Sequence, residues 1–200
     1  MKERRMRVWA AALLVVSACN TNSEVAPKNA STAKKDTAEV AAPEPVTEAG
    51  KANGTLTVSG QPVQLAYAYA FRVPGAFDKT SQDIQVVVTD KPVPTEVLEG
   101  LRKLGKDLDD CFSPTMLSIR GLPEIEVQGM YLLIDSEKHI LSRSPHHRAL
   151  ENTSISMGGG SGGEFAIEED TITGKSAYDN PGGEHPWSYT VNFKASLKNQ

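Results

Sequence analysis

Two long stretches of the chain alternate strictly between apolar and small or polar residues. In the first, Val63, Leu65, Tyr67, Tyr69, Phe71 and Val73 take every second position, with Gln64, Ala66, Ala68, Ala70 and Arg72 between them. In the second, Trp187, Tyr189, Val191, Phe193, Ala195 and Leu197 alternate with Ser188, Thr190, Asn192, Lys194 and Ser196. A period of two is that of a strand, so each stretch predicts a strand with one packed face and one small or polar face. Shorter segments read the same way. Leu56 and Val58 alternate with Thr55 and Thr57, and Ile84, Val86 and Val88 share one side of residues 83–90. Residues 116–120 make a brief strand, 126–135 a stronger one with Gly129 as a candidate bulge, and 139–144 the return from a turn at Ser136-Glu137-Lys138. A weaker strand is expected over 151–157, and a pair over 164–169 and 171–178 around Glu169-Asp170. Gly60-Gln61-Pro62, Pro74-Gly75 and residues 179–183 are turns.

One segment changes period. After Pro92 and Pro94, the residues Val97, Leu98, Leu101, Leu104 and Leu108 recur at helical spacing, with Thr95 as N-cap and Glu96 favouring the positive end of the helix dipole. Gly100 and Gly105 weaken this helix, which ends between Leu104 and Asp110 and is expected to pack over one end or one face of a sheet. About nine strands on short turns with one helix predict a mainly β (α+β) fold. Short turns favour antiparallel pairing, in a single barrel or sandwich-like domain over residues 54–200.

The first 19 residues, MKERRMRVWAAALLVVSAC, carry a different message. Lys2, Arg4, Arg5 and Arg7 form a positive start, residues 8–16 an uncharged apolar run, and Ser17 and Ala18 a small-residue approach to Cys19. This is the plan of a secretory signal, and its apolar run is about half the roughly 20 residues of a membrane span. Val16-Ser17-Ala18-Cys19 resembles the lipobox of bacterial lipoproteins. The resemblance implies cleavage after residue 18, lipidation of Cys19 and anchoring by several acyl chains. It covers about 20 of 200 residues and concerns processing alone. Residues 19–53 then read as a lipidated cysteine and a tether. This stretch is rich in Ala, Thr, Ser, Pro, Glu and Lys and lacks any aromatic, so it cannot offset its ordering entropy by burial. Asn20, following the cysteine, is compatible with transfer to the outer membrane. The expected location is therefore the cell envelope, lipid-anchored at the outer membrane and facing the periplasm.

Charge narrows the partners. Of 21 basic and 25 acidic residues, residues 1–18 account for Lys2, Arg4, Arg5, Arg7 and Glu3, which leaves a processed chain near −7. An acidic domain lacks the clustered cations that neutralise nucleic-acid phosphates, and it has no charge attraction to anionic lipid. The only cysteines are Cys19 and Cys111. With Cys19 lipidated no intrachain disulfide forms, and Cys111 reads as a small hydrophobe in or near the core.

Candidate chemistry is sparse. Gly159-Gly160-Ser161-Gly162-Gly163 satisfies the G-x-S-x-G pattern, with Asp170 or Asp179 and His185 following in hydrolase order. Yet no helix follows Ser161 to make a nucleophile elbow, so a flexible glycine loop is expected, and a small envelope hydrolase using Ser161 and His185 is the alternative reading. The same run lacks the Gly-Lys-Ser/Thr ending of a phosphate cradle. His139, His146, His147 and His185 are the metal candidates, but adjacent His146 and His147 would point to opposite faces of an extended segment, and Pro145 and Arg148 suggest instead that they lie in an exposed turn. Asp107, Asp109 and Asp110 lack the glycine and closing glutamate of a calcium loop. Tyr67, Tyr69, Phe71, Trp187, Tyr189 and Phe193 are candidates to line a ligand pocket. The expectation is a non-catalytic module without cofactor or metal, binding an envelope protein or a small apolar ligand, or serving a structural role.

Overall fold

A computed structural model describes residues 44–104, 108–113, 115–160 and 162–198. The signal sequence, Cys19, the tether up to residue 43, Asp107 and Ser161 lie outside the described residues. The elements in chain order are β1 (Lys51–Val58), β2 (Gln61–Pro74), β3 (Gln82–Thr89), α1 (Thr95–Leu104), β4 (Phe112–Ser113), β5 (Met116–Leu117) and β6 (Ile125–Glu126). They continue with β7 (Gly129–Ile134), β8 (Ile140–His146), β9 (Met157–Gly160), β10 (Gly163–Ile167), β11 (Thr171–Asn180) and β12 (Trp187–Lys198). Nine strands make one curled half-barrel sheet in the order β10-β11-β12-β1-β2-β3-β7-β8-β9, while β4, β5 and β6 form a small separate sheet. Neighbours in the large sheet are antiparallel; beyond the start of β1, β12 and β2 also meet in a short parallel contact, Leu197 opposite Ala70. The antiparallel β fold with one helix is the one the alternation predicts. The domain's first strand starts at Lys51, three residues earlier than Gly54, because Lys51, Ala52 and Asn53 pair with Lys194, Phe193 and Asn192.

The inner face of the sheet holds the main core. Leu56, Leu65, Val86, Leu132, Ile140, Phe165 and the alternating residues of β12 from Trp187 to Leu197 belong to one buried cluster. These residues come from both ends of the strand order, which only the inside of a curled sheet can bring together. A second core lies on the outer face, where Phe71, Val87 and Tyr131 of the sheet meet Val97 and Leu101 of α1, with Leu108, Phe112 and Leu117. Strand β3 is therefore buried on both sides. The helix covers one face, as its apolar stripe requires. Its first turn closes on the carbonyl of Pro94, which accepts from the Val97 and Leu98 amides at 3.1 and 3.0 Å, so Thr95 is the first helical residue and not the cap.

Four expectations change. The alternation of β2 does not define one face: Val63 and Leu65 pack inward, but so do Ala68 and Ala70, while Tyr69 and Phe71 face α1. Its pairing with β1 slips by one residue, since Leu65 faces Gly54 but Tyr67 faces Lys51, and a one-residue slip exchanges the two faces. Gly129 is in regular register opposite Thr89; the irregularity of that strand lies between Leu133 and Ile134. Gly129 is required by close approach, because a Cβ there would stand 1.9 Å from the Val88 carbonyl oxygen. The weak strand expected over 151–157 is confined to its end, and the glycine run is largely strand, β9 and the start of β10.

Candidate functional site

The structure separates the sequence candidates. His185 sits between β11 and β12 with its Nδ1 3.5 Å from the Ser59 hydroxyl. His139 stands in the exposed β7–β8 turn beside Asp135, 3.3 Å from its Oδ2. Among the described residues no group of three or more His, Cys, Asp or Glu is placed to hold a metal ion. The aromatic set divides between two faces: Trp187, Tyr189 and Phe193 fill the inner core, and Tyr69 and Phe71 face the helix. Tyr67 lies under the Lys51 ammonium at 5.0 Å. Cys111 packs against the second core.

His146 and His147 are not in an exposed turn. Both are buried, because β8 continues through Pro145 to His146. A proline is tolerated here because β9 pairs only as far as Arg143, which frees the outer edge of β8 at Pro145. His147 accepts the Ala149 amide on Nδ1 at 3.0 Å and caps a short 3₁₀ turn, Arg148–Leu150. Burial foremost, and then the adjacent Arg148 charge, hold its pKa below the ordinary imidazole value, against a smaller opposite pull from Asp90.

On the outer face His146 stacks on Phe112 with ring centroids 4.3 Å apart, and its Nε2 stands 3.0 Å from Asp109 Oδ1. That approach lies off the line of a hydrogen bond, so the contact is one of charge when the ring is protonated. The other Asp109 oxygen accepts the Ser144 hydroxyl at 2.7 Å. A cleft of about 270 Å³ opens beside them, walled by Asp110, Pro145 and residues 153–156. In nucleophilic catalysis the histidine stands between hydroxyl and carboxylate. Here the carboxylate stands between Ser144 and His146, so it holds both side chains and activates neither as a nucleophile–base pair.

The inner face contains a less balanced group. Arg143 of β8 points inward opposite Leu132, is only 1 % exposed, and its Nε and Nη1 have no hydrogen-bond partner. Its Nη2 makes a long contact of 3.4 Å with the Gly160 carbonyl, and its guanidinium carbon lies 4.3 Å from the centre of the Tyr178 ring. Trp187, whose Nε1 also lacks a partner, packs on the same Tyr178 ring at 5.0 Å. Ser176 Oγ donates to the Gly162 carbonyl at 2.6 Å and lies 2.9 Å from the Tyr189 hydroxyl. Ser176 has one proton, so Tyr189 donates to Ser176 and has no proton for another acceptor. Burial is the largest influence on Tyr189 and raises its pKa; the Ser176 hydrogen bond and the nearby Arg143 guanidinium pull the other way. That guanidinium is close enough to Tyr189 to act by charge and as a donor, though Nε and Nη1 lie outside good hydrogen-bond geometry.

A third feature is a groove of about 200 Å³ between α1 and the β2–β12 junction, lined mainly by Ala49, Tyr69, Phe71 and Leu98 with Glu99 and Arg102 at its rim. The Tyr69 hydroxyl accepts the Val93 amide at 2.9 Å, and burial raises its pKa. Arg102 pairs with Glu99 on the same helix, which leaves the rim charge-neutral and the floor apolar. Sequence reasoning identified Tyr69 and Phe71 as candidate ligand contacts. It missed Arg143, because a charged residue in an alternating segment reads as a solvent-facing position. Scans against protein-family models, curated proteins and solved structures find no match to this chain.

Proposed function

We propose that the protein is a lipid-anchored, non-catalytic binding module of the bacterial cell envelope, held through Cys19 at the outer membrane and facing the periplasm, and that it takes a small apolar ligand. The anchor rests on the signal sequence and on Val16-Ser17-Ala18-Cys19. The observation that carries the binding role is the groove beside α1, concave and mainly apolar with a charge-neutral rim, the usual character of a small-ligand site. Its volume suits a small aromatic body or a stretch of acyl chain.

Two measurements test the reading separately. Fractionation of cells expressing the Cys19→Ala form is expected to show a soluble protein or an uncleaved precursor; a fully processed form that stays in the membrane would remove the anchor. Titration with the neutral fluorescent probe N-phenyl-1-naphthylamine is expected to saturate in the wild type and to fail in Ala49→Trp, which plugs the groove from an exposed position. Equal probe binding by both, or by neither, would exclude the groove as the ligand site. A partner captured by crosslinking in the wild type, without probe binding, would replace the ligand by a protein.

A further inference from the structure

A buried guanidinium without a carboxylate is costly, because the charge has left water and gained little in return. Arg143 bears much of that cost: Nε and Nη1 lack a partner in hydrogen-bond geometry, and the Tyr178 ring, the long Gly160 contact and the neighbouring Tyr189 hydroxyl compensate it only in part. Both unpaired atoms are donors, and an acceptor is the missing complement. The neighbouring backbone leaves a way in. Gly160 is exposed, and a Cβ built on it would touch only Arg143 Nη2, at 3.6 Å, with open space otherwise. A Cβ at Gly162 would likewise lie 3.6 Å from Nη1, though it would first meet the Ala177 carbonyl oxygen at 2.8 Å. The guanidinium thus lies close beneath the exposed backbone of Gly160.

We infer that Arg143, reached past Gly160 of the edge strand β9, is a binding site for a small oxyanion, carboxylate or phosphate. A guanidinium matches the paired oxygens of either group. This site is separate from the groove beside α1 and does not depend on it.

The test is thermal unfolding and titration calorimetry of the full chain with acetate, benzoate and inorganic phosphate at constant ionic strength, with benzamide as a neutral control. Wild type is expected to gain a saturating rise in Tm with at least one oxyanion and none with benzamide. Arg143→Met is expected to lose roughly tenfold to hundredfold in affinity. Gly160→Val keeps the charge but fills the approach and should lose binding as well. A response to carboxylates alone or to phosphate alone assigns the headgroup, and either supports the site. No saturating response in folded wild type overturns it. So does a rise of equal size in Arg143→Met, since sulfate-like salt effects strengthen folding without a site. If Arg143→Met does not fold, Gly160→Val carries the test, and unchanged affinity there overturns the proposal.

Discussion

The Tyr69 hydroxyl accepts a hydrogen bond from the Val93 amide at 2.9 Å, and this contact ties β2 to the entry of α1. Val93 is buried and its amide precedes the helix, so no other backbone group of the turn replaces the phenol oxygen as its acceptor. Tyr69→Phe keeps the ring against the second core and orphans that amide. The expected loss is about 1–3 kcal/mol, and each kcal/mol lowers Tm by about 2–4 °C in a domain of this size. Urea unfolding of the two forms measures it; midpoints within error of each other would show that water serves the amide equally well.

Alkaline titration follows from the same burial. Tyr69 and Tyr189 both have pKa values raised above the usual 10, chiefly by desolvation of the phenolate. A folded-state value above the unfolded one means that their stabilising contribution is complete below about pH 10 and is lost as pH rises through the folded values. Absorbance at 295 nm should show these two among the five tyrosines ionising late, and Tyr189→Phe should remove part of the late phase. A single unshifted phase for all would contradict the burial of both hydroxyls.

At the acid side His147 sets a limit. Its Nδ1 must stay unprotonated to accept the Ala149 amide, and burial lowers its folded pKa. The contribution of the neutral ring is therefore complete above about pH 6.5 and is lost as pH falls below it toward the folded value. His147→Asn retains a capping acceptor and removes the titration. Between pH 8 and pH 5 the wild-type Tm should fall more steeply than that of the variant; parallel curves would assign the acid sensitivity elsewhere.

Gly129 tests the central pairing of the sheet. A methyl group there meets the Val88 carbonyl oxygen at 1.9 Å and the Thr89 Cα at 3.0 Å, and both are backbone atoms of the neighbouring strand. Neither moves cheaply, so Gly129→Ala should cost about 2–3 kcal/mol, at the upper end of the usual range for overpacking. Denaturant titration reads this directly. A change under about 0.5 kcal/mol, the range of an ordinary surface substitution, would mean that β3 and β7 are further apart than described.

Arg143→Met has the opposite sign. Replacing a desolvated charge that lacks a carboxylate by an apolar side chain of similar reach is expected to raise the unfolding midpoint, by about 1 kcal/mol, in the absence of any anion. A marked fall would show that the Tyr178 and Gly160 contacts compensate the charge fully.

Local pattern by itself determined the long strands and the helix of this protein. The alternation of β12 placed Trp187, Tyr189, Val191 and Phe193 on one buried face, and the helical spacing of Val97 and Leu101 placed both under α1, because period alone decides which side chains share a face. The same pattern misassigned β2, since one slipped residue opposite β1 exchanges inside and outside and leaves no mark in composition. Only the tertiary structure decided that small Ala68 and Ala70 face the main core while Tyr69 and Phe71 serve the helix. It alone brought Asp109 to Ser144 and His146, 35 residues or more along the chain, and buried Arg143 against Tyr178 and Gly160. Such contacts depend on how the strands are ordered around the curled sheet, a long-range choice that no local spacing records.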